Sequence, residues 1–113
     1  MTAAPTSAAA RPVLAIECFG VRFQNPMLLA AGTAGFGREV ARVIDVEALG
    51  GVVTKAVSLE PRRGNPAPRV AETPGAMLNS VGLANPGLDA FRREMIPWLR
   101  RLARARVLVN VVG

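Results

Sequence analysis

The 113-residue sequence has no histidine, no tyrosine and one cysteine, Cys18. A chain without histidine and with a single thiol holds no Cys/His metal cluster and builds no internal disulfide framework. Aromatics are scarce too, four Phe and one Trp, so the stacking platforms that single-stranded nucleic acid requires are thin. No run reaches the roughly 18 apolar residues of a membrane-spanning helix. The opening MTAAPTSAAARP lacks the basic start and long apolar stretch of a secretory signal, and its only basic residue, Arg11, argues little for a transit peptide. The expected location is the cytoplasm, with residues 1–11 as a disordered tail of Ala, Thr, Ser and Pro.

What remains is a globular composition, 50% hydrophobic and 19% charged, enough for one core and hardly more than one domain. The net charge of +6 is local. Arg62, Arg63 and Arg69 lie in a Pro/Gly-rich stretch, and Arg92, Arg93, Arg100, Arg101, Arg104 and Arg106 lie on or after one helix-like segment. That distribution describes a solvated helix face better than a nucleic-acid footprint. Lys55 is the only lysine, placed at the end of an apolar run.

Along the chain, VLAIECFGVRF reads as two short strands turning at Gly20, and MLLAA after Asn25-Pro26 as a buried strand. GTAGFG follows, a glycine-rich turn open to close backbone approach. Val40, Val43, Ile44 and Ala48 keep helical spacing from Arg38 to Leu49, before a stop at Gly50-Gly51. VVTKAV is a β-branched strand, and RVLVNVVG, ending at Gly113, is another. Between them comes a helix-like segment with Leu88, Phe91, Met95 and Leu102 on one face and Pro97 expected to kink or divide it. The near-continuous apolar strands are those of a parallel α/β sheet covered on both faces. The connection from Ser58 to Gly87, about thirty residues where two to six are usual, is a candidate functional loop; Pro61, Pro66, Pro68, Pro74 and Pro86 stiffen it.

Taken in order, NPMLLAAGTAGFG, LGGVVTKAVSLEPRRGNPAPRVAETPGAMLNSVGLANPG and VLVNVVG resemble the N-terminal part of class 1 dihydroorotate dehydrogenases over about residues 13–113. PRVAETPGAMLNSVGL is closer to the NAD-linked 1B type than to the fumarate-linked 1A type, and GNPAPR argues against the related flavin domain of dihydropyrimidine dehydrogenase. The resemblance implies a (β/α)₈ barrel with FMN and orotate at the C-terminal ends of its strands. Residues 12–113 would supply an N-terminal β-hairpin and the first three barrel strands, hence an incomplete barrel.

By the same resemblance Thr33, Lys55, Ala56 and Asn110 contact the flavin. Lys55, Asn79, Ser80, Val81, Gly82 and Leu83 contact the pyrimidine. The expected reaction oxidises dihydroorotate to orotate in pyrimidine (UMP) biosynthesis, with NAD⁺ as final acceptor. A homodimer of catalytic subunits and a partner subunit carrying FAD and a 2Fe-2S cluster are also implied; no metal, nucleic acid or membrane is.

The catalytic base of the class, a cysteine on a later loop, is not carried by these residues and is expected beyond Gly113. Cys18 precedes the first barrel strand and reads as a small buried hydrophobe. A barrel of this kind takes about 250 residues, so the chain is expected to be an N-terminal fragment, inactive by itself and a weak FMN binder if it binds at all.

The residues also carry their own argument. An ammonium ending a buried strand is costly unless an anion pairs with it, although a lysine at a strand end can also snorkel to solvent. Asn79 by itself suits a turn. Asn110 inside an apolar strand needs a polar partner, which a neighbouring backbone could also supply. GTAGFG does not match G-x-G-x-x-G and precedes no Lys-Ser/Thr phosphate motif. Two readings from other classes stand beside the enzyme: a stand-alone α/β binding or interaction module derived from one, and a basic RNA-associated protein whose binding would fall steeply with salt.

Overall fold

The computed structural model describes residues 13–113, and the tail expected over residues 1–11 lies outside the described residues. Strands β1 (Ile16–Cys18) and β2 (Val21–Phe23) form the expected antiparallel hairpin, with Cys18 opposite Val21 across a Phe19-Gly20 turn. Both turn residues have positive φ, 50° and 73°, the condition for a two-residue hairpin turn that matches strand twist.

The centre of the molecule is a three-stranded parallel sheet in the order β3 (Leu28–Leu29), β4 (Gly51–Val53), β7 (Arg106–Leu108). Its register pairs Leu28 with Gly51 and Gly51 with Arg106. Pairing of the last two strands continues past their regular ends. Thr54 N–H donates to Leu108 O (2.9 Å), Val57 N–H to Asn110 O (3.0 Å) and Val112 N–H to Val57 O (3.0 Å). The parallel α/β class is thus observed, but only the central strand is well covered: Val52 is 0% exposed, whereas Leu28 and Leu108 are open to solvent.

The covered face of the sheet meets a helical segment, 87–99, built from α turns Gly87–Ala90 and Ile96–Leu99 around a π turn, Phe91–Met95. Phe91 (2% exposed), Leu99 and Val57 form the core, with Phe36, Met95, Ile96, Trp98, Leu102 and Val107 packed around them. The expected apolar face is therefore in place except for Leu88, which is exposed. Full burial of one such side chain is worth about 1.5–3 kcal/mol. Pro97 does not divide the segment; the wider π turn just before it accommodates the missing N–H and the ring.

Three segments differ from the sequence-based expectation. The helix expected from Arg38 to Leu49 is two single 3₁₀ turns, Val40–Arg42 and Val46–Ala48. Asp45 is extended and accepts a hydrogen bond from Glu47 N–H (3.0 Å), starting the second turn afresh, and the β-branched residues around it gain little from a continuous helix. Of the supposed apolar face, Val43 and Ile44 are exposed; the buried residue is Val46.

The strand expected to run to Gly113 ends its regular part at Leu108. Asn110 N–H is taken by the Thr54 side chain instead of a ladder carbonyl (3.1 Å), which interrupts the regular pairing. Only an isolated bridge, Val57 with Val111, resumes it, and Gly113 lies past that bridge, exposed and outside the sheet.

The long connection, finally, is not structureless. It carries a second hairpin, β5 (Val70–Thr73) and β6 (Ala76–Asn79), closed by Pro74-Gly75, and every residue of both strands is exposed.

Candidate functional site

The C-terminal ends of the parallel strands gather the positions that the resemblance assigns to the flavin. β3 runs through Ala30 into one helical turn, Ala31–Ala34, and Gly35 O then accepts the backbone N–H of Lys55 at 2.9 Å. The turn is anchored by Phe36, whose ring lies 5.5 Å from that of Phe91. Gly37 lets it sit down on β4, since a Cβ there would lie 3.2 Å from Val52 and 3.3 Å from Trp98. The segment containing Thr33 is therefore held against the residue after Thr54, although the Thr33 side chain lies outside what the structure describes.

Lys55 is half-buried and Ala56 buried. The described ion pairs join Arg93 to Glu94 and Arg104 to Asp45, so no carboxylate among the described residues pairs with Lys55. Thr54, 0% exposed, places its Oγ1 to accept Asn110 N–H at 3.1 Å. Thus the turn after β3, Lys55-Ala56 after β4 and Asn110 after β7 stand side by side. Asn110 corrects one argument from sequence: its side chain is exposed beyond the end of β7, so water can satisfy it and no buried partner is required.

The positions that the resemblance assigns to the pyrimidine follow the second hairpin. Asn79 ends β6 and is exposed. Ser80 and Val81 are sewn to GNPAPR: Asn65 Nδ2 donates to Ser80 O (3.0 Å) and Oγ (2.7 Å), Asn65 N–H to Val81 O (3.1 Å), and Ser80 N–H to Arg69 O (2.8 Å). Arg69 in turn donates to the carbonyls of Asn65 (2.5 Å) and Arg63 (3.2 Å), fixing the loop that fixes the site. Gly82 has φ 77°, and a Cβ there would press to within 2.8 Å of Asn65 N, so only glycine fits. Leu83 also has positive φ, 53°, an uncommon conformation for a bulky residue. No hydrogen bond among the described residues joins Asn79 or Ser80 directly to Lys55.

Asn85, which the sequence reading passed over, is the hub behind this loop. It is buried at 8% exposure. Its Oδ1 accepts from the backbone N–H groups of Ser58 (3.2 Å) and Gly87 (3.0 Å); its Nδ2 donates to Ser58 Oγ (3.0 Å) and Leu83 O (2.8 Å). Its backbone exchanges two hydrogen bonds with Arg62. The signal available was the Asn-Pro dipeptide, shared by Asn25-Pro26, Asn65-Pro66 and Asn85-Pro86, which marks a turn start but not its distant partners.

At the opposite ends of the strands, Glu47, Gln24 and Asn25 are engaged with backbone groups. Glu47 accepts the N–H groups of Ala103 (2.5 Å), Arg104 (2.8 Å) and Ala105 (2.9 Å). The Ala105 N–H leads in holding its carboxyl below the ordinary range, helped by those of Ala103 and Arg104 and by the Arg104 charge, against partial desolvation. Gln24 Nε2 donates to Glu47 O and Leu49 O, both at 2.6 Å, and Asn25 Nδ2 to Ala48 O at 2.8 Å. Cys18 belongs to this side and is exposed, not buried. The hairpin that carries it stands over an apolar groove of about 310 Å³ lined in part by Phe19, Phe23, Leu28 and Leu108, so no core closes over the thiol. Among the described residues no helix is long and apolar enough to cross a membrane, and no group of three His, Cys, Asp or Glu could hold a metal ion.

Residues 13–113 match the family model described as dihydroorotate dehydrogenase. The chain is 46% identical over 103 residues to the protein named dihydroorotate dehydrogenase B (NAD(+)), catalytic subunit, of Geotalea uraniireducens, covering 91% of this chain and 33% of that one. Proteins of the same name show 50% identity over 100 residues in Bacillus caldolyticus (88% and 32% covered) and 45% over 103 residues in Geobacter sulfurreducens (91% and 33%). The chain spans about a third of the length of the curated relatives it matches.

Proposed function

The chain belongs to the dihydroorotate dehydrogenase family, and from that premise we propose that it is the N-terminal part of the catalytic subunit of an NAD-linked enzyme oxidising dihydroorotate to orotate. Residues 12–113 are then the opening of a flavin-binding (β/α)₈ barrel, with β3, β4 and β7 its first three strands and β1–β2 a hairpin beside their N-terminal ends. The observation that carries the proposal is the meeting of the Ala31–Gly35 turn, Lys55-Ala56 and Asn110 beyond the C-terminal ends of parallel strands, where barrel enzymes place their chemistry.

The residues present fit FMN. A half-buried ammonium with no carboxylate partner among the described residues, an exposed amide and a turn where a Cβ on Gly32 would meet nothing within 4 Å offer a cation, a donor–acceptor pair and open backbone to a polar ring. When bound, FMN would supply the hydride acceptor. Lys55 would lie between flavin and substrate and offset negative charge on both. Thr33, Ala56 and Asn110 would line the flavin, and Asn79, Ser80 and the Val81–Leu83 backbone would orient the pyrimidine and its carboxylate.

No catalytic base is assigned within residues 13–113, because Cys18 sits on the hairpin beside the other ends of the strands; the base of this reaction belongs to sequence following Gly113. A partner subunit carrying FAD and a 2Fe-2S cluster would pass electrons to NAD⁺, and the catalytic subunits would pair as a homodimer in the cytoplasm.

The test is to purify the full-length polypeptide that carries these residues and add dihydroorotate without oxygen. Stoichiometric FMN that is bleached by dihydroorotate, and reoxidised by NAD⁺ only with the partner subunit present, is the expected result. The isolated 113-residue chain should bind FMN weakly and turn nothing over. A full-length protein without flavin, unfolding cooperatively as a monomer, would overturn the enzyme reading in favour of a binding module.

A further inference from the structure

The segment 79–83 leaves a hairpin whose residues are all exposed, so no apolar core beneath it fixes its place. Two asparagines do. Asn65 holds Ser80 and Val81 from an exposed loop. Asn85 holds Leu83 from the interior, and the same carboxamide accepts the N–H of Ser58, three positions beyond Lys55. One buried side chain therefore ties the continuation of β4 that carries Lys55 to the residue with φ 53° that closes the loop.

We infer that Asn85 is a positioning residue, setting the distance between Lys55 and the Val81–Leu83 backbone and so the fit of the pyrimidine between them. This rests on the proposed function above.

The chemistry requires a carboxamide. Two backbone N–H groups point at its oxygen, and one backbone carbonyl and one hydroxyl face its nitrogen. Ser58 can adapt, because its hydroxyl rotates and already donates to Glu60 O at 2.6 Å. Leu83 O cannot, since a carbonyl only accepts. An aspartate, equal in shape, would keep both acceptor bonds and turn an oxygen against Leu83 O. Leu83 would then lose the bond that holds it in an unfavourable conformation, and Gly82 beside it would be free to move.

The experiment uses the flavin-loaded full-length protein and its Asn85→Asp variant, with FMN stoichiometry, orotate Kd by titration of the flavin spectrum, and the KM and kcat for dihydroorotate as readouts. The expected result is FMN content equal to wild type with orotate Kd and dihydroorotate KM raised about tenfold or more, the scale of a lost buried hydrogen bond, and kcat changed less than KM. Orotate affinity within twofold of wild type, or affinity lost only in proportion to FMN, would overturn the inference. Should the wild type bind FMN but not orotate, the proposed function itself fails, an outcome separate from a variant that behaves like a normal wild type.

Should the variant fail to fold, the wild-type structure with orotate decides. Asn85 still donating to Leu83 O, with ligand against the 81–83 backbone, supports the inference; that bond broken in the complex overturns it.

Discussion

The two ends of the same three strands differ in how many of their polar side chains are committed to the fold. At the N-terminal ends, Gln24, Asn25 and Glu47 are all committed to backbone groups, and Arg106 Nε donates to Arg22 O at 2.8 Å, tying β7 to the first hairpin. At the C-terminal ends, the side chains of Thr54, Ser58, Asn65 and Asn85 also join elements, while those of Lys55, Asn79 and Asn110 make no hydrogen bond or ion pair among the described residues. The first end commits Gln24, Asn25 and Glu47 to closing the fold. The second commits Thr54, Asn65 and Asn85 in the same way but leaves Lys55, Asn79 and Asn110 available. In parallel α/β barrels this is the division between a face that serves stability and a face that serves chemistry.

Substitutions that touch one end only can break or sharpen this contrast. The largest effect is expected from Gly50→Ala, because a Cβ there would collide with the backbone oxygen of Asn25. Backbone cannot yield as a flexible side chain does, so thermal or denaturant unfolding should report a loss of about 4 kcal/mol or more. A wild-type-like midpoint would show that this end is looser than its geometry implies.

Lys55→Ala should do the reverse. Orotate affinity of the flavin-loaded full-length protein should fall roughly 100-fold, the scale of a lost charge-assisted bond, while unfolding free energy changes by no more than about 0.5 kcal/mol. Equal losses in both would erase the distinction between the ends.

Glu47→Gln tests the first end more gently, at about 1 kcal/mol after allowance for solvent screening. The sign with pH follows from the lowered carboxyl value. The folded state holds Glu47 ionised more strongly than the unfolded chain does, so its contribution is full above the ordinary carboxylate value of 4.5 and is lost as pH falls through the lower folded value. Wild type and Glu47→Gln should therefore differ at neutral pH and converge in acid, and urea unfolding across that range measures it. Parallel curves would mean that the three N–H bonds do not depend on charge.

The smallest effect belongs to Cys18→Ser. An exposed thiol on a hairpin strand should shift stability by less than about 0.5 kcal/mol, whereas a closed core around it would give several times that.

How much of this was legible differs from element to element. The first hairpin, the three strand segments, their parallel class and the apolar face of 87–99 follow from alternation, β-branching and turn residues, all of which act within a few positions. The segment 38–49 shows how such signals mislead: Val40, Val43, Ile44 and Ala48 keep helical spacing, yet Asp45 binds its own neighbour's N–H and ends the turn. The run from Arg106 to Gly113 misleads in the same way, because its apolar residues suit a strand throughout while the Thr54 hydroxyl takes the N–H that would have continued the ladder. Lys55 was legible as an isolated cation after an apolar strand. Its neighbours in space were not, since Gly35 meets it only once the turn after β3 folds back.

The sequence by itself determined the family, the parallel α/β class and which residues carry charge or amide groups at strand ends, because these depend on residue identity and short spacing. Only the tertiary structure decided which polar side chains are spent and which are free. Asn85 meets Ser58 across 27 positions, Asn65 meets Ser80 across 15 and Glu47 meets Ala103 across 56. Nothing local distinguishes these residues from Asn79 or Asn110, because a hydrogen bond is chosen by where the backbone brings its partner, and that is fixed only when the sheet, the helical segment and the long connection pack together.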